Sequence, residues 1–157
     1  MKKTVILLIL LFSSLHIYAQ QQENQLYELI NVSLEKYLEI KQFPKDKQRK
    51  PIDLSKVYLN TINYPPEFEF SQKIKDTGIH FININNRKDR KGFSKSKYVI
   101  QFYTPVLHGN TITIRFVDFG VRARGKRVHM QPGTDGTYLW MYSCEMGEWE
   151  LVSMDYE

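Results

Sequence analysis

The chain has 157 residues, with 22 Lys and Arg against 17 Asp and Glu, a formal charge of +5. That length sets one domain as the expectation, and 42% apolar with 25% charged residues is the balance of a globular protein, which excludes wholesale disorder. A single cysteine excludes an intrachain disulfide framework and a multi-cysteine zinc site.

The chain opens with Lys2 and Lys3, an unbroken apolar run from Val5 to Phe12, and a small residue at Ala19. A charged start, a short apolar stretch and a small residue at the cut make a cleavable export signal. The apolar run is too short for a bilayer, which needs about 20 such residues. The expected division is a signal peptide over 1–19 and a single α+β domain over 20–157. No cysteine lies near Ala19, so lipid attachment is not indicated, and no later segment is apolar enough for a transmembrane span. The mature protein is therefore expected to be soluble, periplasmic or secreted. Losing Lys2 and Lys3 leaves 20 basic against 17 acidic side chains, +3.

From Asn24 to Gln42 apolar residues recur at three- and four-residue steps: Leu26, Ile30, Leu34, Tyr37 and Leu38. This is an amphipathic helix, with Asn24 placed to cap it and Pro44 blocking continuation. The charged, proline-bounded segment from Pro44 to Pro51 reads as a loop. After it every element reads as a strand: Val57 to Ile62, Ile79 to Ile84, and Tyr98 to Leu107, where Pro105 demands an edge or a bulge. His108-Gly109-Asn110 is a tight turn. In the strand that follows, Ile112, Ile114 and Phe116 share one phase while Val117, Phe119 and Val121 take the other, as a bulge near Phe116 or burial on both faces requires. Arg124-Gly125 turns the chain, and Pro132 to Gly136 reads as a loop or turn. The closing hairpin runs from Tyr138 to Tyr156 about Met146-Gly147, with Trp140 and Trp149 expected in the core. The predicted architecture is α+β: an N-terminal helix packed on a curved antiparallel meander.

The closing text YLWMYSCEMGEWELVSMDY, an aromatic strand, a short glycine turn and then Trp-x-Leu-Val, resembles the small exported proteins of Bacteroidetes-type bacteria. The overall plan is similar to cystatin-like and nuclear-transport-factor-like α+β rolls. The resemblance carries no functional signature, so it implies a fold and no catalytic residue.

Chemistry is sparse. His80, His108 and His129 lie on separate elements with no metal-ligand spacing, so no metal site is expected. Cys144 has aromatic neighbours and reads as a small buried hydrophobe, or as an intermolecular disulfide if exposed. Asp118, inside an apolar strand, reads as the partner of Arg115 or Arg122 or as a residue pointing outward at a bulge; its alternative is a general base paired with a histidine. The glycines are too dispersed for a nucleotide loop, and no cofactor is expected. Basic residues are uneven. They gather in Lys45, Lys47, Arg49 and Lys50; in Arg87, Lys88, Arg90, Lys91, Lys95 and Lys97; and in Arg122, Arg124, Lys126 and Arg127. If these segments meet, Arg90, Lys91, Arg124 and Arg127 centre a site for an anion. Export removes the protein from cellular nucleic acid, so the expected partner is a protein or an anionic surface glycan or lipid. The leading expectation is a non-enzymatic exported binding protein. Its alternatives are a small hydrolase or isomerase-like enzyme with a pocket between helix and sheet, and a toxin-neutralising protein.

Processing gives the first test. Intact-mass analysis of the exported protein should show a chain beginning close to Gln20; a membrane-held form that keeps Met1 to Tyr18 would refute the signal.

Overall fold

A computed structural model describes residues 24–44, 50–93, 95–124 and 127–156. The expected signal segment lies outside these residues. Helix α1 runs over 24–42 and stops before Pro44. Strand β1 (Val57–Asn60) follows a 3₁₀ turn at Leu54–Lys56, then come helix α2 (Gln72–Asp76), β2 (His80–Ile82), a second 3₁₀ turn at Asp89–Gly92, and the long strands β3 (Lys97–His108), β4 (Thr111–Arg124), β5 (Arg127–Ser143) and β6 (Glu148–Tyr156). The class is α+β, with one six-stranded sheet in the order β2-β1-β3-β4-β5-β6.

Three local expectations need correction. Helix α2 lies where only strands were expected; it has a single buried residue, Ile74, and rests on Ser71, whose side chain accepts from the Ile74 amide, so one turn of helix leaves no periodicity to read. The sheet is antiparallel only from β3 to β6; β1 pairs in parallel with both β2 and β3, because the long connections 61–79 and 83–96 return the chain to the same end. Residues 132–136 are not a loop but the middle of β5. There Pro132 has β4 on one side and no β6 on the other, since β6 begins pairing at Gly136. An edge position beside a bulge tolerates the missing N–H.

Two irregularities fall where the proline and the phase change put them. The β3–β4 register shifts between Tyr103 and Val106, across Pro105. The β4–β5 register shifts between Val117 and Phe119: Gly133 and Thr134 on β5 oppose Asp118 alone on β4, the two-against-one count of a bulge. Gly109 and Gly147 adopt positive φ in the two hairpin turns, where a side chain would be strained.

The sheet is buried on both faces. One face carries Leu59, Ile100, Phe102, Ile114, Phe116, Tyr138 and Trp140, which join Ile30, Leu34, Tyr37 and Leu38 of α1 in the larger core. The other carries Ile82, Val99, Val121 and Ala123, covered by Ile84 and Phe93. The helix approaches β5 closely because Gly136 has no side chain: a Cβ there would lie 2.6 Å from the Tyr37 ring. Trp140 is 7% exposed and its indole N–H donates to the buried Ser33 hydroxyl of α1 at 2.9 Å. Trp149 is only half-buried: it packs on Tyr142 at the margin of the larger core, because it lies on the edge strand, paired with β5 on one side only.

Trp140→Ala should therefore cost about 3–5 kcal/mol in denaturant melts, and Trp149→Ala clearly less. Equal losses would contradict the asymmetric burial.

Candidate functional site

Alternation along β4 puts Ile112, Ile114, Phe116 and Asp118 on the helix-facing side of the sheet. Three are ordinary core residues; the fourth is a carboxylate only 1% exposed. On α1 the same logic applies. Tyr37, Leu38 and Lys41 follow one another on the buried stripe, and Lys41 is 6% exposed. The two charges meet: the Lys41 ammonium pairs with Asp118 Oδ2. Three hydroxyls complete the carboxylate shell. Tyr37 donates to Oδ1 at 2.6 Å, Thr134 donates to Oδ2 at 2.7 Å, and Tyr98 also donates to Oδ2. Lys41 donates to Thr134 as well. Its ammonium lies 4.9 Å from the Tyr37 ring centroid and 5.0 Å from that of Tyr156, distances at which ring faces attract a cation.

The expected partners of Asp118 were Arg115 or Arg122. Arg115 instead bonds Asp135 on the outer face of the sheet, since β4 alternation points residues 115 and 118 to opposite sides. The alternative of an Asp118–histidine pair is not formed either. His80 stacks against Tyr58, His108 ends β3, and His129 is exposed on β5. Among the described residues no group of His, Cys, Asp and Glu is arranged to hold a metal. Cys144 is exposed in the β5–β6 turn, not buried, because β5 ends one residue before it.

The Asp118 cluster floors a cavity of about 380 Å³ between the C-terminal end of α1 and the β4–β5 bulge. Ile40, Pro44 and Ile52 wall it, and Lys50 stands on its rim. A larger groove of about 590 Å³ lies along the first half of α1. Two of its four glutamates are engaged locally: Glu67 accepts from Tyr27, and Glu35 holds Ser71 and Lys73.

Two of the basic segments adjoin the sheet at one end. The starts of β1 and β3 lie side by side (Val57 opposite Tyr98), Lys97 faces Val121, and Arg124 is the cross-strand partner of Arg127. The Ala123 amide donates to the Phe93 carbonyl at 2.8 Å, so the segment holding Arg90 and Lys91 is tied to the β4–β5 hairpin beside Arg124. The side chains of Arg90 and Arg124 are outside the described set, as are Lys45, Lys47, Arg49 and the turn at Gly125-Lys126. The remaining member, Lys50, sits on the helix face, whereas Phe93 covers the opposite one. Among the described residues the ion pairs are Lys41–Asp118, Lys56–Asp53, Lys73–Glu35 and Arg115–Asp135; Lys91, Lys95 and Arg127 take part in none.

No family model matches this chain, and no curated protein or solved structure matches it.

Burial, with the negative charge of Asp118 beside it, pushes the Tyr37 hydroxyl far above its ordinary value near 10, and burial alone does the same for Tyr64. Both stay protonated in the fold while an unfolded chain ionises them. Their contribution to stability is thus complete below about pH 10 and lost above it, at about 1.4 kcal/mol per pH unit for each tyrosine. Urea melts between pH 9 and 11 should show that decline, and Tyr37→Phe should make it shallower by one tyrosine's worth. An unchanged slope would mean Tyr37 ionises in the folded protein. Asp118→Ala, which strands Lys41 in the core, should cost about 3–5 kcal/mol.

Proposed function

We propose that the protein is an exported binding protein without enzymatic activity, and that its ligand is an anionic surface glycan or lipid held at the β4–β5 hairpin end. The observation that carries this reading is the register pairing of Arg124 with Arg127. Like charges directly opposite each other repel, and a tied-on segment adds Arg90 and Lys91 to the same end. A strand end that concentrates positive charge, with Lys91 and Arg127 in no ion pair among the described residues, is suited to an external anion. Arginine offers a planar fork for carboxylate, sulfate or phosphate, and lysine adds less directional charge. Exposed charges more than about 8 Å apart are largely screened at physiological salt, so the closeness of 124 and 127 is what gives the pair its value. The small exported-protein resemblance and the leading signal agree with a periplasmic or secreted location. The enzyme reading loses support because Asp118 is held by Lys41 and hydroxyls rather than by a histidine.

The test is retention on immobilised heparin across a salt gradient. The wild-type protein should elute at elevated salt, and Arg124→Glu with Arg127→Glu should elute with the void while keeping its far-ultraviolet spectrum. Equal retention of the double variant would refute the site.

A further inference from the structure

The cavity above Asp118 has a construction that packing alone does not account for. A buried ion pair is a poor way to hold two elements together, because desolvating both charges offsets most of their attraction, and well-packed apolar residues of similar volume do as well or better. Here the pair is not sealed in a filled core. It floors a cavity of about 380 Å³, within the size range of small-molecule sites, which combine apolar walls with a few placed polar groups. The polar groups are fixed before any ligand arrives. The bulge aims Thr134 inward, Tyr98 reaches in from β3, and Asp118 holds both hydroxyls.

The charge of the site selects the ligand. Lys41 and Asp118 neutralise each other, which leaves Lys50 on the rim as the one uncompensated charge among the described lining residues. A cation would meet two ammonium groups. A plain hydrocarbon would make no use of Lys50. A molecule with an apolar body and a single negative charge suits the site: its body lies against Ile40, Pro44 and Ile52, and its head meets Lys50 at the rim. We propose that this cavity is a binding site for an amphipathic monocarboxylate. The site is separate from the hairpin end and does not depend on the heparin result.

The probes are octanoate, acetate as the head without the body, and octan-1-ol as the body without the charge, titrated calorimetrically into the mature protein. Octanoate should bind saturably at one site, acetate should not, and octanol should bind about tenfold more weakly. Ile40→Trp, at a half-exposed wall position, should fill the cavity and weaken octanoate at least about tenfold. Lys50→Gln, at an exposed position, should erase the preference for octanoate over octanol without altering stability. The Arg124→Glu, Arg127→Glu double variant should bind octanoate like the wild type, which separates this site from the hairpin. Absence of saturable octanoate binding by the wild type would overturn the proposal. So would equal affinity for octanoate and octanol, or octanoate binding unchanged in either Ile40→Trp or Lys50→Gln. If Ile40→Trp misfolds, the Lys50→Gln comparison alone decides.

Discussion

The contact between Lys41 and Asp118 determines how α1 lies on the sheet. It joins the last turn of the helix to the middle of β4, and through Tyr98 and Thr134 it also engages β3 and β5. Four elements thus meet at one carboxylate. Apolar contacts between Ile30, Leu34 and Leu38 and the sheet tolerate sliding, since dispersion and burial are non-directional. A buried charge does not, because any displacement that separates it from its partner leaves an unpaired ion in a low-dielectric interior. We read the pair as the register pin of the helix–sheet interface, with Trp140 bonded to Ser33 as a second pin two turns of helix away.

That pin is possible only because β5 yields. An unbulged β5 would place one residue opposite Asp118; the extra residue turns Thr134 into the carboxylate shell and leaves Gly133 against Asp118, where a Cβ would lie 3.4 Å from the Asp118 side chain. Three residues further on, Gly136 makes room for the Tyr37 ring. The glycine-rich stretch PGTDG, whose composition suggests a turn, is a strand shaped to receive a helix. The same irregularity opens the cavity, since a strand that bends away from its neighbour cannot be packed over as tightly as a straight one.

The two ends and two faces of the sheet have different characters. Basic residues collect where β1 and β3 begin and β4 turns into β5, while β6 at the far edge carries Glu148, Glu150 and Asp155. Glu148, Glu150 and Asp155 all pair with the outward-facing phase of β5, and charge along an edge strand discourages pairing with another chain. Neither character depends on the larger core, which is why charge at the hairpin can be altered without disturbing α1.

Much of this was legible in the residues alone. The stripe from Leu26 to Leu38 defines a helix, Pro44 ends it, and the alternations around Ile112 and Tyr138 define strands, because a period of 3.6 or 2 is a local property that survives in sequence. The phase change near Phe116 announced burial on both faces, and Asp118 stood out as a carboxylate among apolar neighbours. Its true partner was also on the page in principle: Lys41 follows Tyr37 by four residues and so extends the buried stripe, yet a lysine at a helix end is usually solvated and reads as such. Local pattern determined which residues face inward. Only the tertiary structure decided that Lys41 and Asp118, separated by 77 positions, face inward at the same place, that residues 132–136 continue a strand, and that β1 lies parallel to β3. Those outcomes depend on which elements become neighbours, and a buried charge chooses its partner by distance in space, a quantity that periodicity along the chain does not contain.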